Sequence, residues 1–126
     1  MIKKVQIQVH LHLIISILIV VPAALLYGFQ PDLLFEVTIN SPDQSTIFKA
    51  IMGLYLGFSL LWFYGIINIK WWKTATLSNM IFMLGLGFGR LISLLMDGLP
   101  SALFVGGTIG ELLLGFYALY LLKTEK

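Results

Sequence analysis

Four charged side chains set among apolar ones are the residues of this chain that could do chemistry. Arg90 lies within the stretch "GFGRLISLLMDGLPS" (residues 87–101), Asp97 follows it, and Lys49 and Glu111 occur in two other apolar stretches. A charge at the centre of a bilayer costs about 2.5–3.5 kcal/mol even on the most lenient scale, so each needs a partner or a function. These four residues are therefore the candidate site, as a ligand-binding or a structural charge cluster.

Helix geometry predicts two layers in this cluster. Arg90 lies about 10 Å along a helix from Asp97, and Glu111 lies about 15 Å from Ser101, where the next helix begins. Their depths thus differ by only about 5 Å, and an arginine fork suits a carboxylate. The sequence therefore predicts an Arg90–Glu111 ion pair, with Lys49 and Asp97 as a second layer towards the outer face. Possible polar neighbours are Tyr55, Ser59, Ser93 and Thr108.

Four apolar segments must position these residues, because the chain is too apolar for a soluble domain. Of its 126 residues, 59% are hydrophobic and 11% are charged, which is more apolar surface than a small domain can bury. Each segment is close to the roughly 20 residues with which a helix spans a bilayer. The sequence predicts one domain, 1–126, of the all-α class: an integral membrane four-helix bundle. Its helices are expected at about 9–29, 48–69, 74–96 and 101–122.

The distribution of charge predicts the orientation. By the positive-inside rule, both termini are cytoplasmic and the long loop of residues 30–47 faces outward. The chain is expected to cross the membrane several times. The side with the lysines carries Lys3, Lys4, Lys70, Lys73, Lys123 and Lys126, and the opposite side carries Asp32, Glu36, Asp43 and Asp97.

The connections contain further signals. The loop of residues 30–47 interleaves apolar and acidic residues, which favours an interfacial amphipathic helix; the alternative is a poorly ordered loop. Ser45 or Thr46 is expected to cap the second helix. Gly98 and Pro100 are expected to turn the chain between the third and fourth helices.

Glycines at four-residue spacing occur in three of the helices and allow membrane helices to approach closely. The simpler interpretation is packing within the bundle; the alternative is that at least one pair forms a homo-oligomer face. Gly107 and Gly115, each one turn from Glu111, are also expected to leave room for the third helix. The spaced pairs are Gly53 with Gly57, Gly85 with Gly89, and Gly106 with Gly110.

The remaining polar residues point to no metal or cofactor. His10 and His12 fall on opposite faces of a helix and are interpreted as interfacial, as are Asn68 and Asn79. The chain has no cysteine, no phosphate-binding loop and no nucleophile elbow. We therefore expect no metal site, no cofactor and no nucleic-acid partner.

Several strings of the sequence resemble a known family over nearly the whole chain. They are "YGFQPDLLF", "FKAIMGLYLGFSLLWFYG", "GLGFGRLISLLMDGLPS" and "GELLLGFYALYLL", and they resemble the bacterial four-helix membrane proteins called domain of unknown function 4345. The resemblance implies four membrane helices, a location in a bacterial inner (cytoplasmic) membrane, and no particular activity. Its motif covers Lys49, Arg90, Asp97, Gly98, Pro100 and Glu111.

Three classes of function are compatible with these features. The first is a non-enzymatic binding or accessory protein, whose partner is a lipid, another amphipathic molecule or a membrane protein, with the charge cluster holding a polar or anionic head group. The second is a homo-oligomeric transporter or channel in which Glu111 titrates. The third is a lipid-modifying enzyme using Glu111 or Asp97 as an acid–base, which the absence of a histidine at matching depth disfavours.

Overall fold

The computed structural model describes residues 3–34 and 37–124, and within them the chain is helical with no strand. The chain forms four long helices, which confirms the all-α fold. All four are long and apolar enough to cross a membrane. The helices are α1 (Lys3–Phe29), the short α2 (Pro31–Leu34), α3 (Pro42–Ile67), α4 (Trp72–Asp97) and α5 (Ala102–Thr124), with a 3-10 turn at Ile69–Trp71 before α4.

The start of α3 differs from the prediction. Ser41 is the capping residue, since its hydroxyl accepts a hydrogen bond from the Gln44 amide at 3.3 Å, and Pro42 occupies the first turn. Proline suits that position because its fixed φ matches the helix and its missing N–H would be unpaired there anyway. The prediction that Ser45 or Thr46 caps this helix is therefore wrong. As a consequence, Lys49 lies about two turns inside α3 instead of at its opening.

Two other chain reversals agree with the sequence. Asn68 ends α3, and its side chain accepts a hydrogen bond from the Lys70 amide at 3.0 Å. Gly98 follows α4 with a φ of 97°, a conformation that residues with a Cβ rarely adopt. Both short connections make the flanking helices antiparallel neighbours.

Within the described residues, the loop between α1 and α3 contains one short helix. α2 spans the four residues Pro31–Leu34, and the chain from 37 to 40 is irregular. Phe35 and Glu36, which belong to the predicted interfacial segment, lie outside the described residues. The structure thus has a single helical turn in place of a longer amphipathic helix in the part of this loop that it describes.

The long helices form two closely packed pairs, α1 with α3 and α4 with α5, joined mainly through α3 and α4. α1 makes few contacts with α5 or with α4, so the seam between α1 and α5 is loose. The start of α1 lies beside the end of α5, because the Tyr117 hydroxyl donates a hydrogen bond to the Gln8 carbonyl at 2.8 Å. We call this the lysine end, after Lys70, Lys73 and Lys123, and the opposite one the acidic end, after Asp32, Asp43 and Asp97.

The core is narrow and the lateral surface is apolar. Trp62, Leu13 and Met83 are almost fully buried. By contrast, Leu18, Leu113 and many other large aliphatic side chains are exposed. Such a surface suits a hydrocarbon environment, since a soluble monomer rarely exposes large contiguous apolar patches.

Candidate functional site

Three glycines bring α5 close to α4 around the candidate site. A Cβ added at Gly115 would lie 2.6 Å from Leu84 Cδ2, and one added at Gly87 would lie 2.6 Å from Leu112 Cδ2. At Gly107, a Cβ would lie 2.9 Å from a nitrogen of the Arg90 guanidinium. The structure therefore agrees with the expectation that Gly107 and Gly115 make room for the neighbouring helix. Gly87 plays the same part, although the four-residue spacing had favoured its neighbours Gly85 and Gly89.

The close approach lets Arg90 of α4 reach Glu111 of α5. Arg90 Nη1 lies 3.0 Å from Glu111 Oε2, so the predicted pair is formed. Arg90 Nη2 donates a hydrogen bond to the Tyr27 hydroxyl of α1 at 3.3 Å. The guanidinium carbon also lies 5.4 Å from the centre of the Phe104 ring, within the range of a cation–π interaction. One arginine thus links α4 to both α1 and α5.

The two carboxylate oxygens of Glu111 differ. Oε2 is paired with Arg90, whereas Oε1 is buried and no described residue donates a hydrogen bond to it. The side chains of Arg90 and Glu111 are 24% and 14% exposed, so the pair is shielded but not sealed. Buried polar atoms usually have a partner, which makes Glu111 Oε1 the chemically unsatisfied atom of this site.

A cavity of about 180 Å³ lies beside the pair, at the loose seam between α1 and α5. Its walls are mostly apolar, and Arg90 and Glu111 are the charged residues among those that line it. Ile19 and Leu103 line it and are also exposed on the lateral surface. The cavity is therefore a cleft that is open to the lateral surface of the bundle.

The predicted second layer is wrong. Lys49 and Asp97 are both described, and no ion pair joins them. The Lys49 ammonium donates to the Ser45 hydroxyl at 3.0 Å and lies 5.9 Å from the centre of the Phe29 ring. Asp97 accepts a hydrogen bond from Ser93 on its own helix at 2.9 Å.

The reason lies in how α3 packs at the acidic end. There it lies against α1, where the rings of Tyr27 and Phe48 stack with centres 5.9 Å apart. A Cβ on Gly28 of α1 would also collide with the Met52 side chain of α3. α3 is thus held beside α1 in the region of Lys49, and that residue meets side chains of α1 and its own helix instead of Asp97.

Of the four predicted polar neighbours, Tyr55 alone lines the cavity. Its ring packs edge-on against Tyr27, with centres 5.7 Å apart. Thr108 instead donates to the Phe104 carbonyl of its own helix at 2.8 Å, and Ser93 is engaged with Asp97. Ser59 is buried in the core away from the cavity lining.

The six spaced glycines do not mediate packing within the bundle, contrary to the simpler interpretation. A Cβ added at any of them would meet no atom within 4 Å. Gly106 and Gly110 line the cavity, where the absence of a side chain leaves its volume open. The others are exposed on α3 and α4: Gly53, Gly57, Gly85 and Gly89.

A buried polar cluster near the lysine end was not anticipated. His12 Nε2 lies 3.0 Å from Thr76 Oγ1, and Asn79 donates to the Ser16 hydroxyl at 2.9 Å. All four side chains have no exposed surface, so the interpretation of His12 and Asn79 as interfacial is wrong. His10 is only partly buried.

The sequence did contain a signal for this cluster. His12 and Ser16 are four residues apart, and Thr76 and Asn79 are three apart, which places each pair on one helix face. Polar side chains that face one another across membrane helices are a usual means of holding them together. Among the described residues, no group of three or more histidines, cysteines or carboxylates could hold a metal ion.

Comparison with known proteins agrees with the resemblance noted in the sequence. The model of one family, described as Domain of unknown function (DUF4345), matches residues 9–122, a range that includes Lys49, Arg90, Asp97 and Glu111. Searches of curated proteins and of solved structures gave no match. The family match extends from α1 to α5 and includes every residue that lines the cleft. The chain therefore belongs to the DUF4345 family.

Proposed function

We propose that this protein is a non-enzymatic membrane protein that binds a lipid-like, amphipathic molecule in the cleft between α1 and α5. The observation that carries the proposal is the position of the Arg90–Glu111 pair at the wall of an apolar cavity. An apolar cavity with a few convergent polar groups is the usual form of a small-molecule site. Here the apolar part of the ligand lies among aliphatic side chains and its polar head meets the pair.

The size and opening of the cleft fit a ligand whose alkyl chain is only partly enclosed by the protein. Cavities that enclose a drug-sized ligand are typically about 300–1,000 Å³, and this one is about 180 Å³. A ligand with a long alkyl chain would therefore leave part of it among the surrounding lipids. The exposed edge formed by Ile19 and Leu103 gives such a molecule a lateral route of entry.

The test fills the cleft without disturbing the packing. Gly110 lines the cavity, and a side chain added there meets no neighbouring atom at its Cβ. We expect Gly110→Leu to fold and to lose the lipids that purify with the parent, as seen by native mass spectrometry. The matched control is Gly85→Leu, since Gly85 is equally open but lies outside the cavity lining. Equal lipid retention by the parent and both variants would contradict the proposal.

We further propose that the lysine end faces the cytoplasm of a bacterial cell and that the protein resides in the inner membrane. The supporting observation is the segregation of Lys70, Lys73 and Lys123 from the acidic residues. The chain has no cysteine, so single cysteines report on each end. An impermeant maleimide should label Thr38→Cys in intact cells and Thr124→Cys only after permeabilisation; the reverse pattern would overturn the orientation.

A further inference from the structure

We infer that the ligand of the cleft carries an uncharged head group that donates a hydrogen bond, as the hydroxyl of a long-chain alcohol does, and that it is not an anion. This inference rests on the proposed function, because it concerns the head group of the same ligand. It follows from which hydrogen-bonding groups of the Arg90–Glu111 pair already have partners and which do not.

The unsatisfied atom is an acceptor. Glu111 Oε1 is buried and receives no hydrogen bond from a described residue, while its partner oxygen Oε2 is held by Arg90 at 3.0 Å. A carboxylate oxygen has no proton to give, so only a donor can satisfy it. Because Glu111 also lines the cavity, a hydroxyl at the end of a chain lying in the cleft would supply that donor.

Part of the donor capacity of the site is already engaged. Arg90 directs Nη1 to Glu111 and Nη2 to the Tyr27 hydroxyl, and its guanidinium faces the Phe104 ring. An anionic head group could reach the remaining N–H groups of the arginine only beside the carboxylate of Glu111, which repels it. A ligand that only accepts hydrogen bonds would also leave Glu111 Oε1 without a donor.

The net charge of the site also opposes an ionic ligand. Arg90 and Glu111 are the charged residues that line the cavity, and their charges cancel. An anion would approach the carboxylate of Glu111 as closely as the guanidinium of Arg90. A cation would likewise approach the guanidinium, which repels it, as closely as the carboxylate. Removing an ion from water into this environment would thus be uncompensated. A neutral donor loses much less solvation and makes a hydrogen bond to a charged acceptor, which is among the stronger kinds.

The experiment compares three probes with the same hydrocarbon chain. They are hexadecan-1-ol, which donates a hydrogen bond; methyl hexadecyl ether, which is neutral without a donor; and hexadecyl sulfate, which is anionic. Binding to the purified, delipidated protein is measured by native mass spectrometry. We expect the alcohol to bind at least about tenfold more tightly than either other probe, since a hydrogen bond to a charged group is worth at least that factor.

A charge variant gives an independent readout. Glu111→Gln removes the negative charge, so Arg90 is no longer neutralised, and the preference should shift from the alcohol towards the sulfate. In the parent, equal binding of alcohol and ether, or tightest binding of the sulfate, would overturn the inference while leaving a lipid-binding cleft. Binding of none of the three probes above the level of Gly110→Leu would instead count against the proposed function itself.

Discussion

At the scale of single residues, Arg90 is the side chain on which the site depends. It pairs with Glu111 at 3.0 Å and donates to the Tyr27 hydroxyl at 3.3 Å, so three helices meet at one guanidinium. The small size of Gly107 is part of the same arrangement, because a Cβ there would lie 2.9 Å from Arg90 Nη1. Arg90 is therefore both a link between helices and the polar wall of the cleft.

The pair predicts an asymmetry between single and double variants. Arg90→Leu leaves the carboxylate of Glu111 shielded without a partner, and breaking a buried pair in this way typically costs about 3–5 kcal/mol. We expect a smaller loss of folding free energy in the double variant Arg90→Leu/Glu111→Leu, because no uncompensated charge remains. The free energy of unfolding of both variants, measured in mixed micelles by titration with SDS, checks this. A double variant as unstable as Arg90→Leu would contradict this account, because the unpaired carboxylate of Glu111 would then not be the source of the loss.

At the scale of helices, some glycines allow two helices to pack closely and others leave space beside the helix. Gly115 and Gly87 lie against leucines of the facing helix, whereas the six glycines at four-residue spacing contact nothing within the bundle. The spacing alone could not distinguish these groups, because glycine occurs on several faces of α4 and α5. In α5, Gly106 and Gly110 preserve the cavity while Gly115 permits close contact.

Alanine substitutions should separate the two roles within α5. In Gly115→Ala, the new Cβ would lie 2.6 Å from Leu84 Cδ2 and 3.1 Å from the Leu84 amide nitrogen, so α4 and α5 must shift; overpacking of this kind costs about 1–3 kcal/mol. Gly106→Ala meets no atom within 4 Å and gains helix propensity, so its stability should be equal or slightly higher. Thermal unfolding in detergent compares the two variants. Equal melting temperatures would refute the distinction between Gly115 as a packing glycine and Gly106 as a cavity glycine.

The helices also show what could be predicted from the sequence. The Arg90–Glu111 contact was predictable because α4 and α5 are consecutive, antiparallel and joined by a short turn, so depth along each helix could be counted from that turn. The position of Lys49 relative to Asp97 was not predictable, since it required the start of α3, which Ser41 and Pro42 place earlier than expected. It also required knowing which neighbour α3 contacts at the acidic end.

At the scale of the whole molecule, the bundle is two helix pairs with an opening between them. The polar cluster of His12, Thr76, Ser16 and Asn79 joins α1 to α4 near the lysine end. Towards the acidic end, α1 meets α5 sparsely and the cleft lies between them. The sequence indicated four helices by composition, but this seam depends on how the helices are paired, which their uniformly apolar surfaces do not reveal.

The central claim is that a lipid-like chain occupies the cleft between α1 and α5, and photolabelling tests it most directly. A hexadecan-1-ol with a diazirine in its chain is irradiated with the purified protein in lipid nanodiscs, and the labelled residues are mapped by peptide mass spectrometry. The account predicts labels concentrated at the cleft, at Ile19, Leu103 and Leu114, and suppressed in Gly110→Leu. Labels spread evenly over exposed residues outside it, such as Leu54 and Ile81, in both proteins would contradict the account.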